Sequence, residues 1–243
     1  MKYNNFKRRK DMKTTIVNKS IRFVLVLSTA LMILGLFAGQ ALAADTKAEA
    51  IESVKSKINE AINSDNMTLE EAIKKVTTEG VLAGDTAQLQ IVIETATSMA
   101  IGKNMEATYV ANLLLKTSIA VGKDMGLNDV VKSVAAGITA GAVGAGMEAL
   151  KAVSGQIVET AVSNTLDVGA IVQSAAAGAI SVASKENATA IAEATAAGAV
   201  GAIGTGDKKT AMAVAQAATA GILASASENN LDAIGLATAA ANH

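Results

Sequence analysis

Residues 198–210 read GAVGAIGTGDKKT, and within them Gly201 and Gly206 have the glycine spacing of a Walker A phosphate-binding loop. Such a loop wraps phosphate in backbone amides, places a lysine after its second glycine, and follows a β-strand. Here Asp207 takes the lysine position, which would set a carboxylate against phosphate. The preceding ATAIAEATAAGAV has the spacing of a helix, not a strand. The stretch is therefore expected to be a junction between two helices. Gly198, Gly201 and Gly204 belong to the close-packed end of the first. Thr205 and Gly206 make the turn, Asp207 caps the second helix, and Lys208 and Lys209 lie on its exposed first turn.

Two other stretches resemble chemistry. GAGMEA at 144–149 fits the G-x-G-x-x-A form of the dinucleotide fingerprint, with Asp167 about twenty residues further on. The residues before it, VVKSVAAGITAGAV, are again helical in period, so Gly146 is expected to break the chain between two helices. Asp65, Asn66, Glu70 and Glu71 suggest a calcium loop, but Met67 and Leu69 occupy positions that would have to be oxygen ligands. Helix capping explains these acids better, because negative charge is favourable at a helix N-terminus. Lys74-Lys75 and Lys208-Lys209 are read as solvated pairs. No Ser-x-x-Lys arrangement supports a lysine-activated serine.

Composition removes most remaining catalytic options. Across 243 residues there is no Cys, Pro or Trp, and the single His is His243. Neither a thiolate nor an internal imidazole is present to serve as metal ligand, nucleophile or general base. No catalytic, cofactor-binding or metal residues are assigned, and no small-molecule ligand is expected.

Residues 1–43 have the three-part layout of a bacterial Sec-type signal peptide. A basic segment precedes the uncharged run FVLVLSTALMILGLF at 23–37, and Ala41 and Ala43 stand at the small-residue cleavage positions. Met1 and Met12 are alternative starts. Of the 21 Lys and Arg residues eight lie in this segment, with one of the 22 acids. Residues 44–243 thus carry 13 lysines, no arginine and 21 carboxylates, a net charge of −8. An acidic chain without arginine is ill-suited to nucleic acid, where phosphate contacts dominate affinity. The segment also contains every aromatic residue except Tyr109. Export to the periplasm or outside the cell is expected.

The elements that would carry any site are helical throughout. Apolar residues recur at helical spacing: Val54, Ile58 and Ile62; Ala72, Ile73 and Val76; Leu89, Ile93 and Ala96; Val130, Val134 and Ile138; Met212, Ala215, Thr219 and Ile222. Thr68 and Glu71 form a capping box, and Asp85 is an N-cap. Polar turn clusters fall near Asp85, Asn104, Asn128, Gly146, Asp167, Asn187, Asp207 and Asn230, at gaps of 18 to 24 residues. The segments between them resemble each other. TSMAIGKN (97–104) and TSIAVGKD (117–124) lie twenty apart, and SVAAGI, SAAAGA, TAAGAV and ATAGIL each place Ala-Gly in mid-segment.

Together these features predict an all-α fold, an array of about ten short antiparallel helices in an Ala/Gly-rich hairpin repeat. Its expected domains are the signal at 1–43, a helical hairpin at 44–83 and the repeat region at 84–243. Mid-helix glycine costs about 1 kcal/mol relative to alanine, so Gly137, Gly141 and Gly198 are expected where helix backbones approach closely. The functional expectation is a secreted, non-enzymatic structural or protein-interaction protein that binds a protein partner or self-associates. The alternative is a membrane-active, pore-forming helical protein, suggested by the uncharged runs 168–184 and 210–227. A third class, an enzyme using carboxylates alone such as a lyase or glycosidase with paired Asp/Glu, lacks any pair that stands out.

Overall fold

The structure, a computed structural model, describes residues 46–123, 126–204 and 207–242. The expected signal segment and the Thr205-Gly206 turn lie outside these residues. The chain divides into two units, Met1–Glu49 and Ala50–His243, and the packing below concerns the second.

The described residues form ten helices and no strand: α1 (46–63), α2 (Leu69–Ala83), α3 (Thr86–Gly102), α4 (Ala107–Gly122), α5 (Leu127–Val143), α6 (Met147–Ser163), α7 (Val168–Ser181), α8 (Ala188–Gly201), α9 (Lys208–Glu228) and α10 (Ala233–Ala241). The fold is all-α.

The helix starts follow from capping chemistry. The first amides of a helix have no partner within it, and a short acidic or hydroxyl side chain supplies one. Thr68 and Glu71 close a reciprocal capping box on α2. Asp85 accepts from the amides of Ala87 and Gln88, both at 3.0 Å. Glu106, Asp167, Asp207 and Asp232 cap α4, α7, α9 and α10 in the same way. Two starts differ from the sequence expectation. Asn128 lies inside α5, whose N-cap is Gly126 at φ 75°, a left-handed conformation that glycine adopts without a Cβ clash. Asn187 precedes α8, but its side-chain oxygen accepts from the Ser184 amide at 2.7 Å rather than from the helix it opens.

Among the described residues there is no Trp or Phe to fill space, and the core is built from Ile, Leu, Val and Ala. Ile58, Ile73, Ile93, Leu114, Ile138, Leu150, Ile171 and Ile191 are among its largest fully buried members. Of the stripe assigned to α9, Ile222 is buried, Ala215 and Thr219 are half-buried, and Met212 is not in the core. Met212 is 64% exposed, while Val214, Ala218, Gly221, Ile222 and Ser225 are buried.

From α3 to α9 each helix packs most extensively on a helix two positions away, whereas α2 packs equally on α3 and α4 and α10 packs most on α9. The strongest pairings join α3 with α5, α5 with α7 and α7 with α9, and α6 packs on α8 more extensively than on α5 or α7. Glycines sit at these contacts. A Cβ on Gly137 would lie 2.6 Å from the Gln90 carbonyl oxygen, and one on Gly141 2.4 Å from that of Glu94. The same holds for Gly178 against Ala136, Gly198 against Lys151 and Gly221 against Gln173, at 2.3, 2.2 and 2.1 Å. No real Cβ fits at such distances, so at these positions the residue must be glycine for the backbones to approach. Gly201 and Gly204 are different. Nothing lies within 4 Å of a Cβ built on either, and Gly204 has φ 71°. Of Gly198, Gly201 and Gly204, expected together at a close-packed helix end, only Gly198 is close-packed.

Candidate functional site

None of the three chemical-looking stretches gathers into a reactive site. Gly201 ends α8 and Asp207 caps α9, so a helix precedes where a phosphate loop requires a strand. Asp207 accepts from the Thr210 amide at 3.0 Å, and the Thr210 contacts hold its carboxyl below the usual aspartate range. Lys208 and Lys209 are exposed. Gly146 is the N-cap of α6 at φ 101° and follows a helix, so the dinucleotide fingerprint also lacks its strand.

The acids at 65–71 serve the packing of α2. Asp65 pairs with Lys75 at 2.8 Å. Glu71 accepts from the Thr68 amide and hydroxyl, both at 2.8 Å, and those bonds lower its pKa. Glu70 accepts from Lys74 at 2.7 Å and from the Tyr109 hydroxyl at 2.6 Å, tying α2 to α4. Its carboxyl is held low by these two bonds, and the same bond to Glu70 raises the Tyr109 phenol above its ordinary value. Among the described residues no three His, Cys, Asp or Glu side chains come together as metal ligands.

Among the described residues an open groove of about 520 Å³ crosses four helices. Gln90 enters it from α3, Lys132 and Ser133 from α5, Ser174 and Ser181 from α7, and Glu228 from α9. Its floor includes Ala136 and Gly178, where α5 and α7 meet most closely. Asp129 at one side pairs with Lys132. Ser174 and Ser181 are bonded to backbone rather than to a base. Ser174 Oγ donates to the Ala170 carbonyl at 3.0 Å and Ser181 Oγ to the Gly178 carbonyl at 2.8 Å, so each is bonded to its own helix. Nucleophilic catalysis needs the hydroxyl against a base. The groove instead offers small hydroxyl and amide side chains over closely spaced backbone, a surface suited to hydrogen bonding and shape.

Sequence reasoning missed this groove, although its signal was present. Ser133 opens the segment SVAAGI and Ser174 opens SAAAGA, so each lies one turn before a close-packed glycine. Only knowledge that α5 and α7 are neighbours turns that spacing into a surface. Also unanticipated are three fully buried hydroxyls, on Thr77, Thr97 and Ser118, which find no hydrogen-bond partner among the described residues.

Compared with known proteins, the chain matches no family model, no curated protein and no solved structure.

Proposed function

We propose that this chain is an exported, non-enzymatic helical-repeat protein whose role is structural or protein-binding. The repeat is a stack of helical hairpins, in which odd helices line one side and even helices the other. Five glycines, each seated on a carbonyl of the helix two before it, support this arrangement, because they set the same spacing at successive levels. The observation that carries the functional reading is the groove across α3, α5, α7 and α9. Stacked repeats produce extended surfaces of this kind, and here its side chains are those of a binding face rather than of a catalytic cleft.

The membrane-active alternative draws on one element. α9 is long and apolar enough to cross a bilayer, and about one third of its apolar window is buried within the fold. Alanine dominates it, however, and alanine contributes little to insertion compared with Leu, Ile, Phe or Val. Cell fractionation followed by vesicle flotation distinguishes the two. The proposed role requires protein with an N-terminus near Ala44 in the periplasm or medium, remaining in the aqueous fraction when mixed with vesicles. Protein that floats with vesicles would establish the membrane-active role in its place.

A further inference from the structure

The row of helices α3, α5, α7 and α9 has a repeating register, and α9 leaves its last position open. Gly141 of α5 is seated on α3, and five residues before it Ala136 offers its carbonyl to Gly178 of α7. Five residues before Gly178, Gln173 offers its carbonyl to Gly221 of α9. The same step from Gly221 reaches Gln216, which is exposed. At 3.6 residues per turn, Met212, Gln216, Thr219 and Leu223 form one stripe along α9, on the side away from Gly221. Met212 is 64% exposed and Leu223 43%, and on adjoining α10 Ile234 is 78% exposed. These are three of the six large apolar side chains that the described residues expose. The register position that carries the internal contact on α5 and α7 thus recurs on α9 at Gln216, within a stripe whose large apolar side chains are exposed.

We propose that this α9–α10 edge is the interface of a two-fold symmetric dimer, occupied by the same edge of a second copy of the chain. The inference rests on the stacked-repeat reading above and names its partner. Two features of the edge select a second copy, and a closed pair rather than a fibre. First, its large exposed side chains, Met212, Leu223 and Ile234, are apolar, and isologous pairing sets them against their own kind and closes. Second, the only charged residues of α9 are Lys208 and Lys209 in its first turn and Glu228 in its last. Antiparallel α9 helices bring unlike charges together at both rims, whereas parallel ones would stack like on like.

The contact is modest in size. Two helices of this length cover about 900 Å² in total, at the low end for a specific interface, which implies a dimer that dissociates on dilution.

Sedimentation velocity across a concentration series, on the protein as the cell produces it, tests the proposal. Expected is a monomer–dimer equilibrium that Met212→Glu and Leu223→Glu each weaken at least tenfold, and that Val162→Glu, an equally exposed site on α6, leaves unchanged. Far-UV circular dichroism of each variant reports whether the helices persist. A monomer at every concentration with full helix content would overturn the dimer while leaving the stacked repeat standing. Open-ended assembly, or a dimer weakened by Val162→Glu and not by the α9 variants, would overturn it as well. Loss of cooperative helix melting in the unsubstituted protein would instead count against the repeat itself.

Discussion

At the scale of single residues, the chain uses glycine for two opposite purposes, and the difference is measurable. Gly221 is filled from outside, since a Cβ there would lie 2.1 Å from the Gln173 carbonyl oxygen. Gly201 ends α8 in open space. Gly221→Ala should cost about 1–3 kcal/mol by overpacking. Gly201→Ala should instead stabilise by about 0.4–1 kcal/mol, because alanine loses less backbone entropy on folding. Urea denaturation of the pair should show midpoints moving in opposite directions. Sequence alone could not separate these glycines, which stand in the same Ala/Gly-rich segments. What decides between them is a carbonyl from a helix more than forty residues away. Tyr109 offers a second residue-level test. Its phenol bonds to Glu70, so in the native protein its absorbance titration should fall above the ordinary value near ~10, and Glu70→Gln should bring it back. A Tyr109→Phe difference titration isolates it from Tyr3. Because the native pKa is raised, the contact's contribution to stability is complete below the ordinary phenol pKa and is lost as pH rises through the native one.

At the scale of elements, the helix boundaries were largely legible and their partners were not. Thr68, Asp85 and Asp207 cap the helices that their spacing announced, because an N-cap is a local event within four residues. Asp85→Ala should lower stability by about 1 kcal/mol at neutral pH, measured by thermal or urea unfolding. The acid side of the stability profile follows from the same chemistry. Glu71, Glu106 and Asp207 are held low by hydrogen bonds from Thr68, Thr108 and Thr210 respectively. Their contribution is therefore present above the ordinary carboxylate pKa and is lost as pH falls through the lowered native values. The Asp207→Ala variant should lie below the parent at pH 7 and converge with it in strong acid. What stayed hidden was α9. Met212 begins the apolar stripe read for α9 and is exposed, while Val214, Ala218, Ile222 and Ser225 are buried in the packing. Small residues leave a faint periodic signal even where they make the closest contacts.

For the whole molecule, the proposed repeat makes a geometric claim that local evidence cannot supply. If α3, α5, α7 and α9 form one row, successive helices should be displaced by a nearly constant step, about 8–10 Å between axes. A helical bundle wrapped around a single centre would return its fourth helix to the neighbourhood of the first. The sequence contains no cysteine, so introduced pairs are unique sites for spin labels. Gln90, Ser133, Ser181 and Glu228 all line the groove, one on each helix of the row, and none is fully buried. Electron paramagnetic resonance distances from a label at Gln90→Cys to partners at Ser133→Cys, Ser181→Cys and Glu228→Cys measure the row directly. The stacked repeat requires three distances that lengthen in that order by about one helix spacing each. A label on α9 found as close to α3 as the one on α5 would contradict it.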